Sequence, residues 1–176
     1  ILRNWQREVQ KWAPELTSVI VAGSRIERSM LWRSQAHIHI TTYETVRQDI
    51  EASVYGAARS NNEEVSRFDC VILDEAQKIK NASSGMARAV HAIQAEWRWA
   101  LTGTPLENRI EDMESIFSYL KPGLIRRDPP PTIEQFKQLI KPYFLRRLAD
   151  DLPELEPVEH AEVWLQLTPS QQRAYD

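Results

Sequence analysis

Val71-Ile72-Leu73-Asp74-Glu75-Ala76-Gln77-Lys78-Ile79-Lys80 is the stretch that decides how this chain is read. Three consecutive β-formers run into two adjacent carboxylates, and a helix-compatible segment follows. Led by Cys70, the apolar run predicts a strand buried on both faces of a parallel sheet. Open α/β sheets bind ligands at the C-terminal ends of such strands. Two acids at that edge suit a nucleotide-hydrolysing site. Asp74 would hold a magnesium ion, directly or through water, and Glu75 would orient and deprotonate the attacking water. The same pair equally suits an ordinary helix start, where the dipole favours negative charge.

A second segment bears on that choice. Trp97-Arg98-Trp99-Ala100-Leu101-Thr102-Gly103-Thr104-Pro105 reads as another short strand, ending in Thr-Gly-Thr-Pro. The interval between the two segments accommodates one crossover helix, read at 83–95, so both strands run parallel. Asp74-Glu75 and Thr102-Gly103-Thr104 then share one sheet edge. Hydroxyls and a flexible glycine beside a carboxylate pair look like a relay that senses phosphate state. Alone, the second segment reads as a strand-to-loop turn, with Gly103 chosen for its φ and Pro105 for rigidity.

Elsewhere strands and helices alternate. Leu2, Trp5, Val9 and Trp12 recur at helical spacing up to Pro14, which places both tryptophans in a core. Residues 19–22 read as a strand, 26–32 as a helix, 38–40 as a strand and 43–58 as a helix. A polar loop follows at 59–64. Met113, Ile116, Phe117 and Leu120 mark an amphipathic helix closed by Lys121-Pro122-Gly123. Such alternation predicts an α/β fold, a parallel sheet with helices on both faces. Arg126-Arg127-Asp128-Pro129-Pro130-Pro131 reads as a stiff connector. Helices at 133–140 and 143–151, a strand at 158–167 and a last helix capped at Thr168-Pro169 complete the reading.

Composition sets outer bounds. The chain has 176 residues, 42% of them hydrophobic and 27% charged, which is ordinary for a globular domain with a core. No apolar run approaches the roughly 20 residues of a membrane helix. The lone Cys70 excludes an internal disulfide and is read as buried in its strand. No Cys/His spacing supports zinc. A net charge of −3 argues against a uniformly basic nucleic-acid binder but leaves room for a local groove.

These motifs follow one another in a familiar order, and the chain resembles the first RecA-like motor domain of the Swi/Snf-type DNA-translocating ATPases, relatives of the DEAD/H-box helicases. Ile1-Leu2-Arg3-Asn4-Trp5 with Glu8 and Lys11-Trp12-Ala13-Pro14 resembles the helix after motif Ia. Ile40-Thr41-Thr42-Tyr43-Glu44 resembles motif Ib. Phe68 to Gln77 resembles motif II, and Leu101 to Asn108 resembles motif III. Tyr143-Phe144-Leu145-Arg146-Arg147 with Leu152-Pro153 resembles the segment leading to the second motor domain, and Leu167-Thr168-Pro169-Ser170-Gln171 with Tyr175 resembles its start. Only 36 residues fill the interval between Asn108 and Leu145, where the family usually places a longer helical protrusion. Functions tied to that protrusion, such as nucleosome contact, are therefore not carried over.

The resemblance implies ATP and Mg2+ as cofactors and double-stranded DNA as partner. Asp74 would hold the metal, and Glu75 would act on the water. Gln77, Thr102, Gly103 and Thr104 would report phosphate state. Thr41 and Thr42, at a strand end before a helix, and Asn4 with Arg3 suit contacts to the phosphate backbone, which carry no base reading. Thr41 or Thr42 equally suits a plain helix cap. Arg146 and Arg147 would pair with acids across the interface with a second RecA-like domain, or locally with Asp150 and Asp151. The implied organisation is a motor domain over 1–125, a linker and helical connector over 126–157, and the start of the second half over 158–176.

The family's Gly-Lys-Thr or Gly-Lys-Ser P-loop occurs nowhere in the chain. The expectation is an incomplete domain, cut before the P-loop and before the second motor half, and inactive alone. The whole protein would be an ATP hydrolase that moves along DNA. It would be intracellular: cytoplasmic and nucleoid-associated if bacterial, nuclear if eukaryotic. Two other readings stand beside this one, a strand-separating helicase with the same acids and a non-catalytic ATPase-like interaction module.

Overall fold

Two parallel strand pairs organise the chain. In the computed structural model, residues 1–52, 67–103, 110–125, 131–147 and 168–175 are described. The chain forms two compact units, Ile1–Ile140 and Lys141–Asp176. In the first, α1 (Leu2–Trp12) leads to β1 (Ser18–Ile20), α2 (Arg25–Trp32), β2 (Ile38–Ile40) and α3 (Tyr43–Glu51). Next come β3 (Arg67–Leu73), a 3₁₀ turn (Ala76–Ile79), α4 (Gly85–His91), β4 (Gln94–Ala100), α5 (Ile110–Leu120) and α6 (Ile133–Ile140). The second unit holds a 3₁₀ turn (Lys141–Tyr143) and α7 (Pro169–Tyr175).

β1 pairs with β2 and β3 with β4, both in parallel, with Leu73 opposite Ala100 at the end of the second pair. Among the described residues these are two two-stranded sheets rather than one continuous sheet. Helix starts follow local chemistry. Ser24 and Glu27 form a reciprocal capping box on α2, and the Ser84 hydroxyl accepts the Ala87 N–H to start α4. α7 carries the cap expected from the sequence: Thr168 and Gln171 exchange hydrogen bonds of 2.9 and 3.4 Å, with Pro169 at the first helical position.

Several expectations shift. α3 ends at Glu51 with Ala52 as its cap, and residues 53–58 of the longer expected helix lie outside the described residues, as do the polar loop at 59–64, residues 126–130 of the proline-rich connector and the strand at 158–167. α4 is shorter than 83–95, because Gln94 already pairs with Arg67 and the strand captures the following residues. The helix expected over 143–151 does not form at its start, since residues 144–147 are irregular. Leu145 there is 76% exposed, so the segment buries no apolar stripe to hold a short helix. β3 is not buried on both faces: Leu73 is buried, but Ile72 and Cys70 are exposed. On the same pleat of β4, Trp97 and Trp99 are exposed too. Trp12 also leaves the core expected for it, donating its indole N–H to Glu8 on the surface at 2.9 Å.

Two apolar clusters meet at Val71. One gathers Val21, Trp32, Val46, Ala89 and Ile93, and the other Leu73, Ala76, Ile79, Val90, Ile116 and Tyr119. Inside the first lies Asp49, fully buried. Arg28 reaches it with Nε at 2.9 and 3.0 Å and Nη2 at 2.7 Å, and the Trp32 indole donates at 2.8 Å. A buried carboxylate persists only when so paired. Asp49→Ala removes the carboxylate to which Arg28 Nε and Nη2 and the Trp32 indole donate, and is expected to cost about 3–5 kcal/mol in urea unfolding. A loss under 1 kcal/mol would show that the pair adds nothing.

Tyr119, at the heart of the second cluster, has a buried hydroxyl without a hydrogen-bond partner. Burial pushes its phenol up to about 12, against the opposing pull of Arg98, whose guanidinium lies 5.0 Å from the ring. A phenol with a raised folded value holds its proton more tightly folded than unfolded. Its contribution is complete below the unfolded value near 10 and is lost as pH rises through the folded one. Tyr119→Phe is expected to flatten part of the stability loss between about pH 10 and 12, and to raise neutral-pH stability by about 1 kcal/mol. Urea titrations across that range measure both.

Candidate active site

The acids stand where β3 ends. Leu101 donates its N–H to Leu73 O at 2.7 Å and accepts the Ala76 N–H at 2.9 Å, so the pairing of β3 with β4 continues past the strands and clamps the turn between them. To make that turn Glu75 adopts φ 53° and ψ 52°, the one positive φ of a non-glycine among the described residues. A left-handed residue with a Cβ costs about 1–2 kcal/mol, and such strain collects at functional sites. The acids therefore stand at the head of a 3₁₀ turn with Glu75 as its N-cap, so the helix-start alternative is met by one short turn rather than by an α-helix.

Each acid has its own partners. Asp74 Oδ1 accepts the Glu75 N–H at 3.0 Å, and its Oδ2 accepts the Trp5 indole N–H at 2.9 Å. Its main-chain carbonyl accepts the Tyr43 hydroxyl at 2.8 Å. Burial raises the Tyr43 phenol far above its ordinary value, and the charges of Asp74 and Glu75 add to the effect, so this donor keeps its proton. Glu75 Oε2 accepts from Gln77 Nε2 at 2.6 Å, and Gln77 Oε1 accepts from the Thr102 hydroxyl at 2.8 Å. Glu75, Gln77 and Thr102 thus form one continuous chain across the ends of β3 and β4. Lys78 extends over the Tyr43 ring, 5.5 Å from its centre.

The remaining candidates are distributed around this centre. Gly103 follows Thr102 at an exposed bend with open space where a Cβ would stand, and Thr104 lies outside the described residues. Thr42 caps α3, its hydroxyl accepting the Thr45 N–H at 3.1 Å, while Thr41 donates to Val21 O at 3.1 Å. Both hydroxyls are thereby engaged within the protein, which meets the capping alternative for Thr42. Asn4 is exposed on α1 and accepts from Arg7. Arg146 and Arg147 are exposed in the second unit, while Asp150 and Asp151 lie outside the described residues. Trp5 and Tyr43 escaped the sequence reading as site residues. The available signal was their polar tips, since a half-buried indole or phenol seeks a partner.

The donor set fits magnesium. Its preferred site is one or two carboxylates completed by water and substrate phosphates, not a cage of side chains. Asp74 offers a carboxylate with one protein donor on each oxygen, leaving lone pairs for a metal or its water. No group of three or more His, Cys, Asp or Glu side chains gathers among the described residues.

With this geometry in view, comparison with known proteins is decisive. The SNF2-related domain matches the chain over residues 1–176. The chain belongs to the SNF2-related domain family. It is 33% identical over 168 residues to the "Putative ATP-dependent helicase/translocase YwqA" of Bacillus subtilis, covering 86% of this chain and 17% of the relative. It is 28% identical over 202 residues to human "Chromodomain-helicase-DNA-binding protein 6", covering 99% of this chain and 7% of the relative. The "Sulfolobus solfataricus SWI2/SNF2 ATPase core in complex with dsDNA" superposes with a TM-score of 0.67 at 29% identity, covering 99% of this chain and 38% of that structure. That likeness carries the parallel α/β, RecA-like fold expected from the sequence. The chain spans only 7–17% of the length of these two curated relatives.

Proposed function

We propose that this chain is the first-domain portion of an ATP-dependent translocase acting on double-stranded DNA, with Asp74 and Glu75 at its hydrolytic centre. The observation that carries the reading is the continuous Glu75–Gln77–Thr102 chain at the C-terminal end of a parallel strand pair, in a member of a family whose relatives are named ATP-dependent helicases and translocases. A resident magnesium ion would neutralise developing charge on the phosphates.

The chain's own residues divide the work. Asp74 would hold the magnesium ion through its carboxylate, directly or through water. Glu75 takes a proton from the attacking water on its carboxylate, one oxygen of which Gln77 holds. Thr102 and Gln77 transmit a change at the glycine-threonine segment to Glu75. Around the start of α3, Thr41 and Thr42 set the backbone that would meet DNA phosphates, with Asn4 on α1 as a second contact. Arg146 and Arg147 would meet acids of a second RecA-like domain when the cleft closes. ATP, magnesium and DNA are the ligands of this reading, and the complex of the Sulfolobus solfataricus SWI2/SNF2 ATPase core with dsDNA supports the choice of duplex.

In the full-length protein, Glu75→Gln is expected to reduce DNA-dependent ATP turnover by at least about 10²–10⁴-fold while nucleotide binding persists. Turnover and fluorescent-nucleotide binding measured side by side check this, and unchanged turnover would remove Glu75 as base. A strand-displacement assay separates the translocase from the helicase, which alone releases a strand. Absence of nucleotide binding would leave the interaction module.

A further inference from the structure

We infer that Trp5 and Tyr43 are positioning residues through which contact with DNA is felt at Asp74. The inference rests on the proposed reading of Asp74 as metal-bearing and of Asn4, Thr41 and Thr42 as strand contacts. Two long-range hydrogen bonds converge on this one residue. The Trp5 indole, 69 residues away in sequence, holds carboxylate Oδ2 at 2.9 Å. The Tyr43 hydroxyl, 31 residues away, holds the main-chain carbonyl at 2.8 Å. Each donor directly follows a residue assigned to the strand: Trp5 follows Asn4 on α1, and Tyr43 follows Thr42, the cap of α3.

The two bonds act on different parts of the site. Trp5, with the Glu75 N–H on Oδ1, fixes the rotation of the Asp74 carboxylate and hence which lone pairs face a metal. Tyr43 acts on the peptide joining Asp74 to Glu75. The carbonyl of that peptide accepts from Tyr43, and its N–H is held by the Asp74 side chain. The tilt of this peptide sets the left-handed φ of 53° at Glu75 and so the direction in which the base points. A small displacement of α1 therefore turns the metal ligand, and a small displacement at the start of α3 turns the base. Neither motion needs to cross the core, because each is one hydrogen bond from its target.

The roles differ, so the tests differ. In the full-length protein, magnesium is titrated while binding of a fluorescent ATP analogue is read, without turnover. Trp5→Phe, which keeps a ring and deletes the N–H, is expected to raise the half-saturating magnesium concentration about tenfold, the scale on which outer-shell partners of metal ligands act. Trp5→Leu gives the same shift, and Trp5→His, which keeps a ring N–H, recovers part of it. Tyr43→Phe is expected to leave magnesium dependence in place and to reduce the ratio of DNA-stimulated to DNA-free turnover about tenfold. Trp12→Phe is the matched control, losing an indole bond of the same 2.9 Å on the same helix, and should alter neither quantity.

Wild-type magnesium dependence in both Trp5→Phe and Trp5→Leu, together with wild-type DNA stimulation in Tyr43→Phe, would overturn the inference. Equal losses in Trp12→Phe would do the same, by reducing the effect to general helix stability. Failure of the underlying reading has another signature. Asp74→Asn would then retain magnesium-dependent nucleotide binding, or the paired Thr41→Val and Thr42→Val changes would leave DNA affinity intact.

Discussion

One residue fixes the geometry on which the site depends. Leu101 gives its N–H to Leu73 and takes the N–H of Ala76, so it stitches the last residue of β3 to the residue just beyond the acids. Between those two bonds only Asp74 and Glu75 remain to reverse direction. The reversal forces Glu75 into the left-handed region. The same stitch places Thr102, the next residue, within reach of Gln77 on the turn. The proximity of the two motifs is thus a consequence of main-chain pairing, independent of side-chain choice. Side chains then decide what that proximity can do.

Adjacent in sequence, the two acids have unlike surroundings. Asp74 is held on both oxygens and on its carbonyl by donors that approach from α1, from α3 and from its own neighbour. Glu75 has a hydrogen bond from a single flexible amide. A carboxylate fixed in rotation suits a metal, whose ligand geometry is demanding. A carboxylate with a free oxygen suits proton transfer, where the base must meet a water that arrives with the substrate. Their unlike partners support the division of labour proposed for the pair.

Much of this was legible in the sequence. Period and capping chemistry located α1, α2, α6 and α7, and the strand-acid and strand-glycine patterns located β3 and β4. What the sequence could not supply was which pleat of a strand is covered. Ile72 lies in a run read as buried on both faces, yet it shares the exposed face of the β3–β4 pair with Trp97 and Trp99. Alternation specifies two faces, not the presence of a neighbour over each. The burial of Asp49 was equally invisible, since a carboxylate on an otherwise polar helix looks solvated until Arg28 and Trp32 are found against it. At the site, Trp5 and Tyr43 were passed over because long-range pairing leaves no trace in local spacing.

The direction of the Gln77 amide follows from chemistry. A carboxylate only accepts, so the end of Gln77 that meets Glu75 must be the NH₂ group, and the end that meets Thr102 must be the oxygen. The Thr102 hydroxyl is then bound to donate. This ordering makes the three residues a one-way chain. If Thr102 turns its hydroxyl toward a phosphate oxygen, Gln77 loses the donor to its oxygen but keeps its bond to Glu75. The amide is then released at one end only and can swing about the carboxylate it still holds. A salt bridge in the same place would couple the two segments more strongly but without direction, since a cation donates in every orientation. A neutral amide between a hydroxyl and a carboxylate costs little to rearrange and transmits which end was disturbed, as the hydrolytic cycle proposed for this site would require.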